Sequence, residues 1–177
     1  MKRIVSQIIF FVLLAAVLAV IRNVAAPGGI EWVGHWSGMS PGSTDSTEVP
    51  LSAAPGDPPF LTFAEAVALH DNPDVIFVDA RYPEEYEEGA IPGAVLLPFE
   101  AFDDYWPGAE PLLPKDRHLI TYCSGDECEL SLFLARLLKD MGYDRVSIFY
   151  GGARLWRDNG MSLDTLKAPV PGAQLEG

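Results

Sequence analysis

Two cysteines, Cys123 and Cys128, stand five positions apart in a chain of 177 residues that has no others. A thiolate is the nucleophilic form of cysteine, a persulfide is its sulfur-loaded form, and two neighbouring thiols can exchange through a disulfide. The stretch Leu119-Ile-Thr-Tyr-Cys-Ser-Gly-Asp-Glu-Cys-Glu-Leu-Ser131 gives the first of them a setting. Its start reads as a β-branched strand, its middle as a tight turn, and its end as the opening of an apolar-periodic helix running to Lys139. This order predicts a thiol close to a helix N-terminus, where unpaired backbone N–H groups and the helix dipole stabilise a thiolate or a bound anion. The competing reading is that Cys123 packs as a small apolar strand residue.

The elements that must position this turn are legible on both sides of it. Val75-Ile-Phe-Val-Asp79 is a short apolar strand leading into Ala80-Arg81. The stretch from Tyr82 to Gly89 follows, with Pro83 at a first helical position and acids in the first turn. Ala90 to Pro98 reads as a second short strand, and Gly142 to Tyr150 as another beyond the helix. Gly151-Gly152 closes that strand, and Ala153 to Gly160 reads as a short final helix.

Four stretches in this order resemble the rhodanese-like domain family. They are Val78-Asp-Ala-Arg-Tyr-Pro-Glu-Glu-Tyr86, Gly89-Ala-Ile-Pro-Gly-Ala94, Thr121-Tyr-Cys123, and the run from Gly142-Tyr143 through Tyr150-Gly-Gly152 to Trp156-Arg157 and Gly160. The resemblance covers residues 60–163. It implies a doubly wound α/β domain with a mainly parallel central sheet, and a thiol at the carboxyl ends of the strands, where open α/β sheets place ligands. It further implies that Cys123 attacks a sulfane sulfur donor, holds the sulfur as a persulfide, and yields it to a thiol acceptor, which can be a protein dithiol. The loop Ser124, Gly125, Asp126, Glu127, Cys128, Glu129, Leu130, Ser131 would then surround the persulfide with backbone N–H groups.

The sequence departs from that family in ways that bear on substrate. The loop is longer than the family's, it holds Asp126, Glu127 and Glu129, and no basic side chain lies in it. Fixed negative charge at this distance disfavours a thiolate and a dianionic donor such as thiosulfate. These acids can equally face solvent or serve the helix N-terminus. Ala90 stands where the family has a histidine before Ile91-Pro92. Cys128 would be a resolving thiol or a buried helix-start residue. Asp79, Arg81 and Glu85 read as a structural group, with an Arg81–Glu85 pair tying the strand to the helix; a place for Arg81 on the rim of the site is the alternative. His70 and His118 lie on distant elements, so the two thiols have no metal-ligand spacing around them. Neither metal nor cofactor is called for.

The N-terminus bears on the compartment. After Lys2-Arg3 the run from Ile4 to Ile21 is apolar but for Ser6 and Gln7, and Arg22 closes it. Residues 4–22 therefore read as a transmembrane anchor near the short end of spanning length. With Lys2 and Arg3 on the cytoplasmic side, the domain faces the periplasm or the cell exterior. A cleaved secretory signal ending at Val24-Ala25-Ala26 is the competitor, opposed by Pro27. Residues 23–59 are rich in Gly, Pro, Ser and Thr and read as a linker; Trp32 and Trp36 there suit a membrane interface or local packing. Residues 164–177 read as a loose tail.

Charge excludes one class of partner. The chain carries a net −13, and without Lys2, Arg3 and Arg22 only nine of its 12 basic residues face 25 acidic ones. Such a surface repels nucleic acid. Two readings of function remain: an extracytoplasmic sulfurtransferase or thiol-exchange protein working through Cys123, and a catalytically silent module of the same fold that docks a membrane or secreted partner.

Overall fold

Local rules account for most of the elements around the cysteines. A computed structural model describes residues 49–125 and 128–169, together with Gln7 and Phe10. The anchor expected over 4–22 lies outside the described residues apart from those two, which are helical. Among the described residues no helix is long and apolar enough to cross a membrane. Helix α1 (Phe63–His70) starts on a capping box: Thr62 Oγ1 accepts from the Glu65 N–H, and Glu65 Oε2 accepts from the Thr62 N–H. Helix α2 (Pro83–Glu88) has Pro83 in its first turn beside Glu84 and Glu85, where a missing N–H costs nothing and acids favour the dipole. Helix α3 spans Phe102–Ala109. Helix α4 (Leu130–Asp140) buries Ser131, Leu132, Leu134, Ala135 and Leu138 along one stripe. It ends at Gly142, whose φ of +86° lets the Gly142 and Tyr143 N–H groups turn back onto the carbonyls of Lys139 and Leu138. Helix α5 is Gly152–Asp158.

Four strands form one parallel sheet. They are β1 (Val75–Asp79), β2 (Val95–Leu96), β3 (His118–Tyr122) and β4 (Val146–Phe149), in the order β2-β1-β3-β4. Every residue of β4, and all but the first of β3, is buried, as a parallel sheet covered on both faces requires. Register pairs Asp79 with Leu96 on one side and with Tyr122 on the other, so β1 and β3 end level at their carboxyl ends. Phe60 adds a parallel bridge to Ile148 beyond β4, and Ala90 an antiparallel bridge to Asp164.

The core closes around α5. Trp156, 1% exposed, meets the rings of Phe63, His70, Phe77 and Phe149 at centroid distances of 5.1 to 6.2 Å, and its Nε1 donates to the Ser162 carbonyl at 3.0 Å. Tilted and edge-on contacts of this kind add to the area they bury. Residues ahead of the domain also touch it. Arg136 on α4 grips the Asp57 carboxylate with Nε and Nη2 at 2.7 and 2.8 Å, and Lys139 Nζ donates to the Gly56 carbonyl. That fork holds the Asp57 carboxyl down at about 2. On the other side the Ala168 N–H reaches Glu87 Oε1 at 3.1 Å.

Candidate functional site

Asp79, the last residue of β1, is fully buried, and a carboxylate in that position must be paired. Arg81 pairs it: Nε lies 2.9 Å from Oδ1 and Nη2 2.6 Å from Oδ2, and the Arg81 N–H donates to Oδ1 as well. Nη2 also donates to the Gly89 carbonyl at 2.8 Å, drawing the end of α2 against the sheet. Arg81 is itself only 6% exposed and lies over the Tyr122 ring at 5.7 Å. Tyr122 completes the hub: its hydroxyl hydrogen-bonds the Asp79 carboxylate and accepts from the Ile91 N–H at 3.0 Å. Burial, then the Asp79 charge, pushes the Tyr122 phenol well above its ordinary range.

The expected Arg81–Glu85 pair is therefore replaced. Asp79 sits two residues from Arg81 and is fully buried, so it takes the guanidinium as a bidentate partner, and Glu85 accepts from Ser124 Oγ at 2.7 Å. That contact ties α2 directly to the cysteine loop. Arg81 still reaches the rim, where it lines a cleft of about 280 Å³ with Glu85, Gly89, Ser124, Arg154 and Arg157. The acidic loop thus has two further cations near it, both on α5, which the sequence reading of the loop left out.

Cys123 follows β3 directly and is fully buried. Its thiol donates to the Cys128 carbonyl oxygen at 3.0 Å. Ser131 Oγ donates to Cys123 Sγ at 3.6 Å, and the Gly125 N–H points to the same sulfur. Cys128 is half-buried, and its N–H donates to the Gly125 carbonyl at 3.2 Å. Both thiols are free. Helix α4 begins at Leu130, so Leu130 and Ser131 belong to the helix rather than to the loop, and Ser131 reaches Cys123 from its first turn. Asp126 and Glu127 lie outside the described residues. Glu129 precedes the helix and accepts a hydrogen bond from Ser52 Oγ.

The glycine pair after β4 forms the wall behind this loop. The Ala153 and Arg154 N–H groups donate to the carbonyls of Cys123 and Ser124 at 2.8 and 3.1 Å. Gly152 has φ +60°, and a Cβ there would stand 2.1 Å from the Cys123 carbonyl oxygen and 2.6 Å from the Gly125 nitrogen. Only glycine lets the two backbones approach this closely.

Electrostatics divides the two thiols. Burial pushes the Cys123 thiol well above its ordinary range, and its hydrogen bond to Cys128 adds to that rise. The Cys128 thiol is lowered from 9.0 to about 6 by the hydrogen bond from Cys123, against burial, with backbone N–H groups of Leu130 and Ser124 also lowering it. A charge shared by the pair therefore rests on Cys128, where the sequence placed it on Cys123. His118 stands at the opposite end of β3, bonded to Ser147 Oγ at 2.8 Å, and His70 donates to or accepts from no sulfur, its ring nitrogens meeting Asp71 and the Pro92 carbonyl. Among the described residues no group of three His, Cys, Asp or Glu could hold a metal ion.

Residues 62–159 match the family model of the Rhodanese-like domain. The tRNA uridine(34) hydroxylase of Escherichia coli O81 (strain ED1a) is 32% identical over 124 residues, 66% of this chain and 35% of that protein. The chain spans about a third of the length of the curated relatives it matches. Among solved structures, the Escherichia coli 3-mercaptopyruvate sulfotransferase SseA has a TM-score of 0.50 at 26% identity, covering 61% of this chain and 50% of that one. EanB in complex with hercynine reaches 0.55 at 23% identity, over 62% of this chain and 28% of that one, a likeness of fold.

Proposed function

The chain belongs to the rhodanese-like domain family, and on that premise we propose that it carries sulfane sulfur as a persulfide on Cys123 and delivers it to a thiol, acting from the outer side of a membrane. The observation that carries this reading is the Cys123–Cys128 pair at the carboxyl end of β3, with the Cys123 thiol donating to the Cys128 carbonyl oxygen at 3.0 Å. In the loading step a cysteine sulfur forms a bond to the terminal sulfur of the donor, and the bond between that sulfur and the rest of the donor breaks. The donor leaves as a thiolate. In unloading, an acceptor thiolate takes the same sulfur and the protein thiolate departs. A protein dithiol suits this second step, because it can close to a disulfide and release hydrosulfide.

Charge narrows the donor. Glu85 and Glu129 flank the site and the chain carries a net −13, against Arg81, Arg154 and Arg157 on the adjoining cleft, and on this balance a singly charged organic persulfide is favoured over dianionic thiosulfate. The same charge argues against tRNA as a partner, although relatives named for tRNA uridine hydroxylation share the domain. The outward orientation rests on Lys2 and Arg3 ahead of the apolar run from Ile4 to Ile21.

One observation favours a second reading. Cys123 has no exposed surface, which suits a silent binding module as well as a guarded nucleophile. Intact mass of the full chain after treatment with polysulfide or with thiosulfate separates the two. The sulfur-carrying protein gains one sulfur atom from polysulfide and less, or none, from thiosulfate; the silent module gains none from either.

A further inference from the structure

A nucleophile with no exposed surface needs a route by which sulfur reaches it. The Cys123 backbone carbonyl is held against Gly152 and Ala153, and its sulfur accepts from Ser131. Its own thiol proton points to Cys128. Cys128 is the half-buried member of the pair and is in hydrogen-bond contact with the buried one.

We infer that Cys128 is the port of entry: the donor places its sulfane sulfur on Cys128, which relays it inward to Cys123. This deepens the sulfur-carrying reading above and rests on it. In the first step the Cys128 thiolate attacks the terminal sulfur of a donor persulfide, R–S–SH. The new bond is Cys128 Sγ–S, the donor's S–S bond breaks, and R–S⁻ leaves. In the second step Cys123 Sγ attacks the outer sulfur of the Cys128 persulfide. The Cys128 Sγ–S bond breaks as the Cys123 Sγ–S bond forms, and the proton that Cys123 loses is taken up by the departing Cys128 Sγ. The products are the Cys123 persulfide and the Cys128 thiol, with no net oxidation.

The arrangement suits each step. The Cys123 thiol, with the backbone N–H groups of Leu130 and Ser124, lowers the Cys128 thiol to about 6, so near neutral pH the half-buried sulfur is the anionic one. Moving the proton together with the sulfur avoids a free thiolate at the buried position, where burial opposes charge. Sulfur stored on Cys123 lies out of reach of solvent thiols, and the same relay run backwards releases it.

Two variants of the full chain, Cys128→Ser and Cys123→Ser, test the relay against the wild type in a time course with inorganic polysulfide, read by intact mass and peptide mapping. The wild type accumulates sulfur on Cys123. Cys123→Ser retains it on Cys128, and Cys128→Ser loads Cys123 at least about tenfold more slowly, since the donor must then await local opening of the loop. Cys128→Ala repeats the second arm without a hydroxyl in place of the thiol. Loading of Cys128→Ser and Cys128→Ala at the wild-type rate overturns the relay, as does a Cys123→Ser protein that takes up no sulfur while the wild type does. A wild type that takes up none overturns the sulfur-carrying reading and the relay with it.

Discussion

At the scale of single residues, the two thiols are chemically unlike, Cys123 being fully buried and Cys128 half-buried. Cys128 faces the Cys123 thiol, the N–H groups of Leu130 and Ser124, and the opposing carboxylate of Glu85. Its alkylation by iodoacetamide is expected to reach half its plateau near pH 6 and to be fast at pH 7. In Cys128→Ser the remaining Cys123 should stay unreacted at pH 7 and react only above 9, the ordinary value for the group. A midpoint near 9 for Cys128 would contradict this division, and rate against pH with mapped adducts measures it. Arg81 has a different role. Its loss leaves the Asp79 carboxyl without its guanidinium partner in a site with no exposed surface, and Arg81→Ala is expected to cost about 3–5 kcal/mol. Urea unfolding with an unchanged m-value would report it, and a change below 1 kcal/mol would show that the hub does not depend on the pair.

Between elements, the site is a contact of three turns. The loop after β3, the start of α4 and the Gly151-Gly152 turn before α5 meet backbone to backbone, with α2 joined through Glu85 and Ser124. Gly152→Ala is expected to displace the Cys123 carbonyl, to cost about 1–3 kcal/mol in backbone strain alone, and to impair sulfur loading. Gly160→Ala is the control: Gly160 also has positive φ, +82°, but nothing stands within 4 Å of its Cβ position, so loading should survive there. Equal loading by the two variants would remove the wall from the account. Much of this was legible in the sequence. The strand, turn and helix around Cys123 follow from apolar periodicity and Gly125, and Pro83 with its acids marks α2. Helices α1 and α3 were not assigned, although the Thr62…Glu65 capping box signalled the first. The partner of Arg81 was misread because Glu85 lies at helical spacing, whereas the choice of Asp79 depends on burial, which no local pattern encodes. The division between the thiols was also hidden, since it arises from the depth at which the loop seats each sulfur.

For the whole molecule, a four-stranded parallel sheet carries the cysteine loop at its carboxyl edge. Acids occupy the loop, cations stand off it on α5, and the surface is strongly negative. Under the proposed function, the net −13 opposes nucleic acid as a partner. Residues 50–57 and 164–168 lie along the domain through Arg136, Ala90 and Glu87, so the chain on either side of the rhodanese-like region contributes contacts to it. The central claim is that this chain carries sulfur on its cysteine pair. The most direct measurement is the intact mass of the full chain after inorganic polysulfide, with and without a subsequent dithiol, and with the modified peptide mapped. The account expects one added sulfur atom on the peptide holding Cys123 and Cys128, removed by the dithiol with release of hydrosulfide. An unchanged mass, with both thiols still present and titratable, would contradict it and leave the domain a binding module.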